Sequence, residues 1–114
     1  MKTIQTLARL AVAATLFAIQ PSVHAQSAEE GKAAYIANGC WQCHGFVGQG
    51  GIAGAKLAPD PKPLEYIAAF VRNTNGLMPK YSDKILSDKD LAGIHAYLRS
   101  IPKSPDYKSI PQLN

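Results

Sequence analysis

The chain has 114 residues, 46% of them apolar and 18% charged, with a formal net charge of +4. One compact domain uses up that length, which excludes a long disordered polyampholyte and a multi-span membrane protein. The basicity is partly that of a leader. Met1 to Arg9 is a basic start, Leu10 to Ile19 an apolar run and Val23-His24-Ala25 a small-residue cleavage region, the three parts of a secretory signal peptide. The apolar run is ten residues long, about half of the ~20 that cross a bilayer, so a cleaved leader is expected rather than a membrane anchor. The expected mature chain, Gln26 to Asn114, has 89 residues, with ten basic and eight acidic side chains for a net +2. Its lysines are scattered from Lys32 to Lys108 and do not cluster on a basic stretch, so no nucleic-acid partner is expected. The organisation is a signal peptide over 1–25, one domain over 26–103 and a proline-containing tail over 104–114, in a protein exported to the periplasm.

Three helices are expected in the mature chain. Ser27 with Glu30 three residues on makes a capping box, and good helix formers run from Ala28 to Asn38 until Asn38-Gly39 offers a stop. The second follows Asp60-Pro61-Lys62-Pro63, with proline tolerated in its first turn and Leu64, Ile67, Ala68 and Val71 on one face; Asn73-Thr-Asn-Gly76 ends it. The third has Ser87 as N-cap, Asp88 and Asp90 in a first turn where the helix dipole favours acids, and the apolar stripe Leu91, Ile94, Tyr97, Leu98 and Ile101 before Pro102. No segment alternates apolar and polar residues between hairpin turns, so the fold class is all-α. So small a chain buries only about 60–65% of its unfolded surface, and its long connections, among them the glycine-rich Gly45 to Gly54 and Gly76 to Leu86, need something to pack on.

Cys40-Trp41-Gln42-Cys43-His44 indicates what that is, because C-x-x-C-H is the pattern of covalent c-type haem attachment. Two thiols one helical turn apart each add to a vinyl group, and the next residue delivers an imidazole to the iron. As a fold staple, a disulfide between positions three apart would close too small a loop to matter. A dithiol redox site would want a βαβ context, and zinc would have to draw on Cys40, Cys43, His44 and His95 without a second closely spaced pair; both remain as alternatives. Met78, the one methionine of the mature chain, lies in the loop Gly76-Leu77-Met78-Pro79 and is the natural sixth ligand to a haem iron whose fifth is His44. Pro79 restricts the backbone beside it. The competing readings are Met78 as a core filler and His95, beside the apolar stripe of the third helix, as the ligand.

Cys40-x-x-Cys43-His44 after a first helix, Met78-Pro79 about two-thirds along and Leu91-x-x-Ile94-x-Ala96-Tyr97-Leu98 in a last helix together resemble a small class I cytochrome c over essentially the whole mature chain. The resemblance implies three main helices around one covalently bound haem c, with Cys40 and Cys43 as thioether attachments and His44 and Met78 as axial ligands to the haem iron. In that family a glycine and an aromatic of the first helix pack on the last, and Gly31 and Tyr35 match them. The family's Gly-Pro-x-Leu, whose proline carbonyl accepts the Nδ1 proton of the ligand histidine, is here Gly54-Ala55-Lys56-Leu57, in which Ala55 still supplies a carbonyl. Glycines 45, 48, 50, 51 and 54 fit no phosphate-binding pattern and are expected to let the backbone pass close to the porphyrin.

With both axial positions filled and no paired carboxylates or activated serine, the expected function is single-electron transfer between redox proteins and not catalysis. A dehydrogenase would be the donor and an oxidase or another cytochrome the acceptor. Lys80 and Lys84 beside the Met78 loop are candidates for steering an acidic partner. Two other classes remain: an obligate electron-transfer subunit of a flavin, molybdenum or quinone dehydrogenase, to which the tail with Tyr107, Ile110 and Leu113 would pack, and a haem gas sensor or open-site haem enzyme.

Overall fold

The computed structural model describes residues 27–113, so the signal peptide and its cleavage site lie outside the described residues. Four α-helices follow one another: α1 Ala28–Ala37, α2 Cys40–His44, α3 Leu64–Asn73 and α4 Asp88–Ser100. Two short 3-10 turns, Tyr107–Ser109 and Pro111–Leu113, lie in the tail. Among the described residues there is no β-strand, and no helix is long and apolar enough to cross a membrane.

The helix boundaries follow the capping chemistry. At the start of α1 the Ser27 hydroxyl accepts from the Glu30 amide at 3.2 Å while the Glu30 carboxylate accepts from the Ser27 amide at 2.8 Å, which completes the capping box. Ser87 accepts from the Asp90 amide at 3.0 Å to start α4. α3 begins one residue later than a first-turn proline would have it: Pro63 is the N-cap and its carbonyl accepts from the Ile67 amide at 3.1 Å. The one-turn α2 is an element that periodicity over five residues could not reveal. Gly39, at φ +73°, turns the chain out of α1 directly into it.

The core is made by α1, α3 and α4 together with two loop residues, Ala58 and Leu86. Tyr35, Val71, Leu91, Ile94, Tyr97 and Leu98 are buried, as the apolar stripes require, and Leu64, Ile67, Ala68 and Ile101 pack at the margin. Leu86, just before α4, is among the most deeply buried side chains, with Tyr35 and Leu98. α1 and α4 share the most extensive contact of the fold. Their backbones meet at Gly31 and Gly93: a methyl group built on Gly31 would overlap the Gly93 carbonyl. One turn further along each helix Tyr35 and Tyr97 meet, with ring centroids 5.6 Å apart and planes tilted by 58°. The expected partnership of Gly31 and Tyr35 with the last helix is therefore present, and Gly93 is the unforeseen other half of it.

Because backbone and not a flexible side chain would have to yield, Gly31→Ala is expected to destabilise the protein by about 2–3 kcal/mol through overpacking, against the small gain in helix propensity. Denaturant unfolding of the wild-type and variant proteins, followed by circular dichroism, measures this.

Candidate functional site

In α2 the residues at i, i+3 and i+4 share one face, so Cys40, Cys43 and His44 point the same way from a single turn. All three line a cavity of about 630 Å³, within the range of small-molecule and cofactor sites. Met78 lines the same cavity from the loop between α3 and α4. The remaining walls are largely apolar, with Leu57, Ile67, Val71, Leu91, Ile94 and Leu98 contributed by the segment after α2 and by the faces of α3 and α4. The structure thus gathers the four residues singled out in the sequence, which are separated by up to 38 positions, around one opening. His95 is not among the lining residues. Its Nε2 lies 3.1 Å from the Lys62 carbonyl, and the side chain borders a separate shallow hollow with Pro59, Asp60 and Arg99. Among the described residues no three His, Cys, Asp or Glu side chains cluster as a metal site would need, so the zinc set of Cys40, Cys43, His44 and His95 is not assembled.

His44 is held by its second nitrogen. Nδ1 lies 2.7 Å from the Ala55 carbonyl, and since a carbonyl only accepts, Nδ1 carries the proton and Nε2 is the nitrogen left with a lone pair. Alanine therefore does supply the acceptor. Gly54 makes the approach possible: a methyl group there would sit 2.7 Å from the Cys43 carbonyl and 2.9 Å from His44 Nδ1. Three other loop glycines have a backbone reason of their own: Gly45, Gly48 and Gly50 take positive φ in tight turns.

Backbone carbonyls around α2 are tied down by tyrosine hydroxyls. Tyr35 donates to the Gly45 carbonyl at 2.7 Å, Tyr97 to the Phe46 carbonyl at 2.9 Å and Tyr81 to the Asn38 carbonyl at 2.8 Å. Burial raises the pKa of all three phenols above their ordinary value of 10.0; neighbouring Cys40 adds to the rise in Tyr35 and Tyr81, and Glu29 to that in Tyr97. Burial also pushes the Cys40 thiol above its ordinary value, so it is a protonated thiol at neutral pH. A dithiol redox centre needs the opposite, a thiol made acidic. The donor set fits a haem: two thiols, an imidazole with one nitrogen free and a soft thioether around an apolar cavity. Sequence reasoning missed Tyr81 and Arg72, which act through the backbone. The one available signal was an aromatic three residues after Met78.

Phenols whose pKa is raised by folding stabilise the protein fully below their unfolded value and lose that contribution as pH rises beyond it, because the unfolded chain then releases protons that the folded one keeps. Unfolding free energy is expected to fall as pH rises beyond about 10, the ordinary value of the phenols, and to fall less steeply in Tyr35→Phe. Denaturant titrations across that range are the check.

A family model described as cytochrome c oxidase, cbb3-type, subunit III matches residues 26–98, which include the attachment turn, the Met78 loop and most of α4. A curated relative, the cytochrome bc1 complex cytochrome c subunit of Corynebacterium diphtheriae, is 36% identical over 69 residues, covering 58% of this chain and 25% of the relative. The chain thus spans about a quarter of the length of the curated relative it matches. No solved structure matches it. An all-α domain, a C-x-x-C-H turn facing an apolar cavity and a family match across that whole arrangement lead to one assignment: the chain belongs to the cytochrome c oxidase, cbb3-type, subunit III family and is a small cytochrome c.

Proposed function

We propose that the protein is an exported mono-haem electron carrier, in which Cys40 and Cys43 hold one haem c through thioethers and His44 and Met78 are the axial ligands of its iron. The observation that carries this reading is the gathering of those four side chains around one apolar cavity, with His44 Nδ1 already engaged by the Ala55 carbonyl. When bound, the haem supplies one-electron chemistry between ferrous and ferric iron. The protein's own groups supply the rest. Ala55 keeps the His44 ring in one tautomer and one orientation. Met78, a soft thioether, favours the ferrous state and so a higher reduction potential than two histidines would give. The apolar walls keep water from the site and limit the reorganisation that accompanies a change of charge. Two protein ligands leave no open position, which argues against the gas-sensor and open-site enzyme readings.

A leader over 1–25 would deliver the domain over 26–103 and its tail over 104–114 to the periplasm. The partners in this reading are a dehydrogenase as donor and an oxidase or a second cytochrome as acceptor. Exposed Lys80 and Lys84 beside the Met78 loop offer charge for an acidic partner. A second reading, an obligate electron-transfer subunit of a larger respiratory or dehydrogenase complex, is favoured by the printed description of the matching family as an oxidase subunit and of the relative as a bc1-complex subunit.

The ferric protein is expected to show the near-infrared sulfur-to-iron charge-transfer band, and Met78→Ala to lose it and bind carbon monoxide rapidly when reduced; a wild-type protein without the band would overturn the ligation. The double variant Cys40→Ser, Cys43→Ser is expected to yield protein from which haem is extracted by acidified solvent and whose helical circular dichroism is largely lost, because so small a core depends on the group it encloses.

A further inference from the structure

Met78 is carried by a segment with few supports of its own. Among the described residues, no protein hydrogen bond reaches the backbone of residues 77–80, and on the N-terminal side the nearest one, from the Gly76 amide to the Thr74 hydroxyl, is 3.3 Å long. The position of the loop is therefore set by its anchors. On the C-terminal side the anchor is Tyr81, all of whose polar groups are engaged: its amide donates to the Val71 carbonyl at 2.9 Å, its hydroxyl to the Asn38 carbonyl at 2.8 Å, and its carbonyl accepts from Arg72 Nη1 at 2.9 Å. Arg72, in the last turn of α3, spreads its fork further. Nη2 donates to the Leu86 carbonyl and to the Asp88 carboxylate, each at 2.8 Å.

We propose that Arg72 and Tyr81 are positioning residues that clamp the Met78 segment against α3, α4 and the end of α1, and so set how readily the Met78 sulfur leaves the iron. This rests on the His/Met ligation put forward above. The weight of the clamp lies in the carbonyl bonds more than in the ion pair, because the Arg72 side chain is only 20% exposed whereas that of Asp88 is 87% exposed. A planar guanidinium reaches Tyr81, Leu86 and Asp88 at once; a lysine ammonium is a single point of charge and cannot span both carbonyls in the same geometry. The tether to Asn38 has a further effect. It joins the loop that carries Met78 to the residue two positions before Cys40, so the two sides of the cavity are linked by a bond between residues 43 positions apart.

The test is displacement of Met78 by added imidazole in the ferric holoprotein, timed by loss of the sulfur-to-iron band. Arg72→Lys and Tyr81→Phe are each expected to accelerate displacement about tenfold, equivalent to about 1.4 kcal/mol, with covalent haem and helical circular dichroism unchanged. Asp88→Asn is expected to stay within about twofold of wild type. Hydrogen exchange at the Tyr81 amide, read by mass spectrometry of the holoprotein, should quicken in Arg72→Lys. If Arg72→Lys yields no holoprotein, Tyr81→Phe, which lacks only one hydroxyl, decides the matter. Wild-type displacement rates in the clamp variants overturn the proposal, and so does a lowered unfolding midpoint without faster displacement, which marks a purely structural role. A wild-type protein lacking the band overturns the ligation reading and the clamp with it; a band present with unchanged rates overturns the clamp alone.

Discussion

At Gly31 the backbone of α1 lies directly on the backbone of α4 at Gly93, and the remainder of the site is arranged from that contact. Two helices without side chains at their crossing point approach more closely than any pair separated by methyl groups, and the approach fixes their relative rotation. One turn on from the crossing, Tyr35 and Tyr97 are brought ring to ring. Their hydroxyls then reach past the helices to the Gly45 and Phe46 carbonyls, just after the attachment turn. The direction of Cys40, Cys43 and His44 is thus set by a helix crossing that none of them touches.

The two sides of the cavity are supported differently. The histidine side is built from short-range bonds: a one-turn helix, a ring nitrogen on the Ala55 carbonyl and glycines that admit close turns. The methionine side is an arm between α3 and α4, where among the described residues no protein hydrogen bond reaches the backbone of residues 77–80. Under the proposed ligation, a firm imidazole with an externally supported thioether would place the compliance on the methionine side. That asymmetry follows from chain connectivity. His44 is next in sequence to Cys43, and Met78 is more than thirty residues away from both cysteines.

The helices, their caps and their buried faces could be read from the sequence because each depends on residues within one or two turns: Ser27 with Glu30, Ser87 with Asp90, and the stripe from Leu91 to Ile101. The four candidate site residues could be picked out too, because C-x-x-C-H encodes its geometry in its spacing and because Met78 is the one methionine of the expected mature chain and lies in a loop. What lay beyond reach were partnerships that pair a side chain with a distant backbone atom. Gly93 looks like any helix glycine until Gly31 is set against it, and a carbonyl such as that of Leu86 or Asn38 has no signature in the sequence at all. The turn-forming role of Gly45, Gly48 and Gly50 escaped sequence reading for the same reason. Their role depends on the sign of φ, and the sequence supplies only the residue that permits it.

The tyrosine hydroxyls that hold the attachment region grip main-chain oxygens and not side chains. Every residue type carries the same carbonyl, so at Asn38 and Phe46 the hydrogen bond received from a tyrosine places no demand on the side chain. The burden of specificity falls entirely on the donors, Tyr35, Tyr81 and Tyr97. Half-exposed Phe46, stacked on Trp41 between the two cysteines, is therefore a position whose outward surface can be rewritten while the bond beneath it persists. The fold in this way separates the atoms that hold the site from the atoms that face outward beside it.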